Sequence, residues 1–239
     1  MNNIQFLNVL PHVFQTPPTI TEGASLDLKP GSPARVSPSG DERGATSDIW
    51  LHDISFERGR HYLIEADSGR GKSTFCSYIL GYRHDYTGQV LFDGRDARQY
   101  SVADWSKLRQ RHVSCLFQEL RLFPELTAFE NVDIKNKLTR HKSRQQIEQW
   151  FERLGIADKL TAKVGRMSFG QQQRVALMRA LVQPFDFLLA DEPISHLDDR
   201  NADIMAALLK EEADSQGASV IATSIGKRLP LAYDIILRL

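Results

Sequence analysis

Cysteine is nearly absent from this chain. Its two thiols, Cys76 and Cys115, lie far apart in apolar surroundings; that suits buried reduced side chains and excludes a disulfide-framed secreted fold. No charge surplus exists either, because 30 Lys and Arg cancel 30 Asp and Glu. Composition therefore gives no support to a polyelectrolyte nucleic-acid binder or a strongly basic membrane-surface protein, and no nucleic-acid partner is expected. No apolar run approaches the ~20 residues that span a bilayer, and Met1-Asn2-Asn3 does not open an export signal; a soluble, non-exported chain is expected. The 7 histidines are scattered, with no cluster at metal-ligand spacing. What remains is a chain of 239 residues, long enough to bury ~70% or more of its unfolded surface without disulfides or a structural metal.

Five of the ten prolines fall between Pro17 and Pro38, among glycines and serines. Residues 16–46 read as a low-complexity loop insertion, too poor in apolar surface to offset the entropy of ordering. It interrupts two strand-like stretches, 4–14 and 48–56. Beyond it, short apolar runs at 62–66, 113–117, 187–190 and 220–223 alternate with helical patterns, predicting a parallel α/β sheet covered on both faces. The glycine-bounded segment 88–94 adds an antiparallel element. Two helices are marked. Ser143 with Gln146 forms a capping box ahead of Ile147, Trp150, Phe151 and Leu154; Asp198-Asp199 opens a second, with Gly217 as its left-handed exit.

Chemistry enters directly after the run at 62–66. Asp67-Ser68-Gly69-Arg70-Gly71-Lys72-Ser73-Thr74 leads from a strand into a helix, the context of a phosphate loop. Glycines let successive N–H groups face inward, Lys72 reaches the terminal phosphates and Ser73 can ligate magnesium. Ala66 stands where the pattern has its first glycine. Further on, Phe187-Leu188-Leu189-Ala190 delivers Asp191-Glu192-Pro193 to a strand's C-terminal end, where open α/β sheets bind ligands. Asp191 is placed to hold magnesium and Glu192 to polarise an attacking water.

Just ahead of that strand lies Met167-Ser168-Phe169-Gly170-Gln171-Gln172-Gln173-Arg174. With it the sequence resembles the ATP-binding cassette (ABC) ATPases along nearly the whole chain outside 16–46. The resemblance implies a single domain, 1–239: a P-loop NTPase (RecA-like) core, an antiparallel β subdomain, and a helical subdomain over 118–170. It implies ATP and Mg2+ as cofactors and a nucleotide site of Phe14, Ser68, Gly69, Arg70, Gly71, Lys72, Ser73 and Thr74. Phe14 is the candidate for stacking on adenine, Trp50 the weaker alternative. Metal-holding roles fall to Ser73, Gln118 and Asp191, and catalytic ones to Glu192, Gln118 and Ser224. Ser168, Gly170 and Gln171 would reach the nucleotide of a second protomer, expected to be an identical chain, and Ser195-His196-Leu197-Asp198 matches the D-loop. The stretch from Leu122 to Val132 resembles the lipoprotein-release, macrolide-exporter and cell-division branch. That branch implies a separate transmembrane permease subunit, a place on the cytoplasmic face of the inner membrane, and Arg121, Glu125 and Glu130 as interface residues.

Three positions depart from the pattern: Ala66, Phe169 in place of a signature glycine, and Ser224 where the family has its switch histidine. A hydroxyl carries no positive charge, and loss of one oriented transition-state donor costs ~2.7–4 kcal/mol. Two readings therefore stand: an ATPase driving a membrane partner, or a nucleotide-binding regulatory or structural subunit with little turnover. A soluble DNA-repair or translation ABC protein fits less well, for want of a coiled-coil insertion or a second cassette. The insertion yields its own prediction. Replacing 17–44 by a short flexible link should leave the melting temperature nearly unchanged; a fall of many degrees in a thermal melt would show that the segment is docked.

Overall fold

The computed structural model describes residues 1–15, 47–67, 69–194 and 198–239. The 16–46 insertion, Ser68 and Ser195-His196-Leu197 lie outside them. Among the described residues the strands form two sheets. Strands β1 (Asn3–Pro11), β2 (Asp53–Glu57), β4 (Tyr86–Phe92) and β5 (Arg95–Asp96) make an antiparallel sheet in the order β2-β1-β4-β5. Strands β3 (Tyr62–Glu65), β6 (Val113–Leu116), β7 (Phe187–Asp191), β8 (Ser219–Ser224) and β9 (Ile235–Arg238) make a parallel one, β6-β7-β8-β3-β9. The segment around 88–94 is thus antiparallel as expected, and it lies inside its sheet, between β1 and β5.

The near-continuous apolar strands bury both faces because their alternate residues feed two different cores. Tyr62, Ile64, Phe187, Leu189 and Ile221 pack with β1, β2, β4 and helix α1 (Lys72–Ile79), where Phe6 stacks on Phe75 at 5.1 Å. Helix α2 (Val102–Arg111) adds Trp105 and Leu108 to the same cluster. Leu63, Leu188, Ala190, Val220 and Ala222 point the other way. They join side chains of α3 (Ala128–Asn136), α4 (Arg144–Arg153), α5 (Phe169–Leu181) and α6 (Asp199–Gln216). The chain between β6 and β7 is helical, and α3 lies against α5. Cys76 and Cys115 are buried and free, and burial pushes both thiols up.

Local sequence explains the helix ends. Ser101, Thr127, Ser143 and Ser168 open α2 to α5 with capping boxes, and Asp198 caps α6. Gly155 (φ +65°) follows α4 and Gly217 (φ +56°) caps the end of α6, as their positions in the sequence predict. Two strand limits differ from expectation. β1 stops at Pro11, and 12–14 turn as a 3-10 helix that carries Phe14 away from the sheet. β2 starts only at Asp53, because the Ser47 hydroxyl accepts from the N–H groups of Ile49 and Trp50 and folds that stretch into a turn.

The β1–β4 pairing contains a register shift between Leu7 and Leu10, with Asn8 at φ +50° and Gly88 at φ +78° facing it. A Cβ on Gly88 would lie 2.3 Å from the Asn8 carbonyl oxygen. Gly88→Ala is therefore expected to cost about 1–3 kcal/mol for the left-handed backbone alone, with overlap against a carbonyl added. Denaturant unfolding checks this; a loss under about 0.5 kcal/mol, the level of an ordinary surface change, would mean that the bulge relaxes freely.

Candidate nucleotide site

The C-terminal ends of three parallel strands meet the start of α1. β3 leads through Ala66 and Asp67 to the loop ending at Gly71; β7 ends at Asp191, and β8 brings Thr223 and Ser224. In register, Asp191 faces Thr223, and Glu65 faces Ser224. The Ala66 N–H donates to the Ser224 carbonyl at 3.2 Å, tying the loop to β8. Ala66 is not among the residues with positive φ, so alanine fits there without left-handed strain.

Helix α1 begins differently from the others. Gly71 sits at φ +102° and no side chain caps its N–H groups, which leaves first-turn donors for an anion. A Cβ on Gly71 would come within 3.1 Å of the Phe14 ring and 3.3 Å of Trp50, so the aromatic wall is built against bare backbone. The cleft has about 710 Å³ of open space, its mouth included, and is lined by Val13, Phe14, Gly69, Gly71, Lys72, Ser73, Thr74, Arg83, Gln118, Glu192 and Ile225. Trp50 is 1% exposed and lies behind Phe14 rather than in the cleft.

The charged groups converge at its floor. Lys72 Nζ donates to the carbonyls of Ala66 and Asp67 at 2.9 and 3.0 Å and stands 3.7 Å from Glu192 Oε1. Burial lowers the affinity of this ammonium for its proton, and the charges of Glu192, Asp191 and Asp67 oppose that shift. Gln118 Nε2 donates to the other Glu192 oxygen at 3.2 Å. Asp191 is buried, which raises its pKa, while the Thr223 hydroxyl and Lys72 pull the other way. Ser73 and Gln118 also line an adjoining depression with Asp191. A phosphate cradle, a lysine and two carboxylates in this order fit a nucleotide with its divalent cation.

The ABC transporter profile matches residues 51–195. The chain belongs to the ABC transporter family. It is 32% identical over 195 residues to the lipoprotein-releasing system ATP-binding protein LolD of Coxiella burnetii, covering 79% of this chain and 84% of that one. It is 35% identical over 175 residues to the macrolide export ATP-binding/permease protein MacB of Shewanella sp. (strain ANA-3), covering 71% and 26%. The dimeric structure of MJ0796, a bacterial ABC transporter cassette, superposes with a TM-score of 0.66 at 26% identity, covering 73% of this chain and 78% of that one. These likenesses establish the mixed α/β P-loop NTPase fold. The chain spans 57% of the length of other curated relatives it matches.

The remaining ABC positions lie outside the cleft lining. Ser168 is the exposed N-cap of α5; its hydroxyl accepts from the Gln171 N–H at 3.4 Å, and Gln171 Oε1 accepts from the Ser168 N–H at 3.0 Å. Gln171 is thereby committed to the cap. Phe169, 44% exposed, begins the helix beside Gly170. Asp198 accepts from the Asn201 N–H at 2.9 Å. Arg70 lies at the loop but outside the cleft lining. Ser224 is 2% exposed, and its hydroxyl donates to the Lys227 carbonyl at 2.9 Å. It lines a separate depression with Glu65, Ala66 and Asp67, and Ile225 takes the place at the cleft.

Two residues at the site, Thr223 and Arg83, had no role in the sequence reading. Thr223 Oγ1 donates to Asp191 Oδ1 at 2.6 Å and accepts from the Glu192 N–H at 3.2 Å, so one hydroxyl orients both acids. The signal was available in register alone, since parallel strands ending level bring Thr223 opposite Asp191. Arg83, held by Asp85 and 3.4 Å from the Thr74 hydroxyl, was likewise invisible. Thr223→Val, nearly isosteric, removes a hydrogen bond to a buried carboxylate and should destabilise the protein by about 1.5–3 kcal/mol, with Thr223→Ser close to wild type. Chemical denaturation of both variants checks this; equal stabilities for Val and wild type would remove the orienting role.

Proposed function

We propose that this chain is an ATP-binding and hydrolysing subunit that closes on a second copy around ATP and drives a separate transmembrane permease subunit. The convergence of Lys72, Glu192 and Gln118 within 3.7 Å at the mouth of the phosphate loop carries the reading. The ABC match and the dimeric cassette likeness support it. Residues 118–170 act as the helical subdomain facing that partner, with Arg121, Glu125 and Glu130 exposed on it. Among the described residues no helix is long and apolar enough to cross a membrane; the chain would attach from the cytoplasmic face through the partner.

In this reading the uncapped N–H groups of α1 and the loop from Ser68 to Thr74 cradle the phosphates, and Phe14 stacks on the base. Lys72 exchanges its bonds to the Ala66 and Asp67 carbonyls for phosphate oxygens. Magnesium, held by Ser73, Gln118 and Asp191, would supply neutralising charge beside the phosphates. Glu192 accepts a proton from, or orients, the attacking water, and Gln118 fixes the carboxylate at its other oxygen. Thr223 holds both acids. Ser168 and Gly170, at the exposed start of α5, face the partner protomer's nucleotide, with Gln171 bracing the cap and Asp198 on the same junction.

The Ser224 hydroxyl, committed to Lys227 and outside the cleft, favours a second reading for rate: a subunit that binds ATP and turns it over slowly. Lys72→Ala should weaken ATP binding ~10- to 100-fold through loss of charge-assisted bonds. Glu192→Gln should leave affinity intact, lower turnover ~10²-fold or more and accumulate an ATP-bound dimer. Calorimetry, steady-state turnover and light scattering read these. Unchanged affinity in Lys72→Ala would overturn the phosphate-loop assignment. Wild-type turnover indistinguishable from Glu192→Gln would favour the regulatory subunit.

A further inference from the structure

The chain between α1 and β4 turns beside the nucleotide cleft, and one of its side chains enters it. Arg83 lines the cleft with Phe14, Lys72 and Thr74, whereas Asp85, its ion-pair partner, does not. The turn is anchored at its far end. There the Asp85 carbonyl accepts from the His12 N–H at 2.9 Å and from the Tyr78 hydroxyl at 3.0 Å. His12 opens the short 3-10 helix that ends at Phe14, and Tyr78 belongs to α1. One carbonyl thus ties the turn of Arg83 both to the aromatic wall and to the helix of the phosphate loop.

Asp85 occupies only part of the guanidinium. Nε donates to Oδ1 at 2.9 Å and Nη2 donates to Oδ2, while Nη1 points elsewhere and donates to the Thr74 hydroxyl at 3.4 Å. A partly exposed pair between residues two apart adds little to stability, but it fixes a planar fork in one orientation. Nη1 carries two hydrogens and Thr74 can use one. The Thr74 hydroxyl, accepting from Arg83, keeps its own hydrogen for an oxygen in the cleft. Thr74 is also the third residue of α1, whose first turn has no side-chain cap. Donors from two elements therefore converge on one point of the cleft, which is the donor set that a phosphate oxygen needs. Neither Thr74 nor Arg83 lines the depression that Ser73 shares with Asp191. The point lies away from the acids, on the side tied to Phe14, where the phosphate next to the ribose falls.

We propose that Arg83 binds the α-phosphate of the nucleotide together with Thr74, its fork held in place by Asp85. The inference rests on the nucleotide reading of the cleft and adds a second cation to it, beyond Lys72. ATP and ADP share the α-phosphate. Arg83 therefore strengthens the binding of both alike, which lowers KM and retains the product without accelerating the chemical step.

Calorimetry on the full chain with magnesium tests this. Arg83→Gln should weaken ATP and ADP by the same factor, about tenfold for one charge-assisted bond, and leave the melting temperature of the nucleotide-free protein nearly unchanged. Arg83→Lys, which keeps the charge, should recover part of the loss. The same factor should hold for 2′-deoxy-ATP and 3′-deoxy-ATP; a factor that collapses for either analogue would move the contact to the ribose and overturn the proposal. The two diastereomers of ATPαS put sulfur on one or the other α oxygen. Any preference of the wild type between them should narrow in Arg83→Gln, and a preference that is the same in both proteins overturns the α-phosphate contact. A loss confined to ATP would place the arginine at the γ-phosphate, and a melting temperature that falls along with the affinity would make it a structural residue; either result overturns the proposal. No loss in Arg83→Gln, in a protein whose ATP binding Lys72→Ala does weaken, overturns the role of Arg83 alone. Wild-type affinity in both variants, or no ATP binding by the wild type, overturns the phosphate-loop reading on which it rests.

Discussion

Parallel pairing of β7, β8 and β3 in a single register is the constraint on which the site depends. It brings Asp191 beside Thr223 and Glu65 beside Ser224, so three strands end level and their following residues share one edge of the sheet. A slip of one residue would turn every side chain to the opposite face. Here that would exchange Leu188 with Leu189 and Val220 with Ile221 between two different cores. The apolar packing on both faces thus enforces the register, and the register places the acids. Stability and chemistry are joined through strand phase rather than through any contact with a ligand.

That edge is completed by a deliberate omission. Helices α2 to α6 each open with a side-chain cap, which satisfies an N–H group and fixes the start of the helix. α1 has Gly71 in the same place, and a bare glycine leaves those donors pointing into the cleft. The aromatic ring of Phe14 can then close to the backbone itself, which a side chain at 71 would forbid. Loss of helix-cap stability is the counterpart of anion capacity, and the core aromatics Phe75 and Tyr78 on the same helix hold it down instead.

Much of this was legible in the chain because it is local. A glycine-rich loop between an apolar run and a helical pattern needs only short-range sequence, and so do the capping box at Ser143 and the acids after 187–190. The ends of β1 and β2 were not legible, since a Ser47 side-chain turn and the 3-10 turn at 12–14 override the apolar pattern. Thr223 was hidden for a different reason: its role exists only across a parallel pairing between residues 32 positions apart. Ser224 shows the converse. Its place in the motif order is plain, yet the hydroxyl points to Lys227 and the neighbouring Ile225 reaches the cleft, a choice made by the loop after the strand.

Three non-glycine residues near the Lys72 end of the cleft also stand in the left-handed region. Glu192 stands at φ +47° and is held there by the Thr223 hydroxyl accepting its N–H. Leu120 and Arg121 stand at φ +58° and +49°, clamped by Arg179. Non-glycine residues adopt this region at a cost of order 1–3 kcal/mol each, and keep it only where surrounding bonds over-determine it. Gln118 and Glu192 are hydrogen-bonded to each other, so the two strained turns are linked through that side-chain pair.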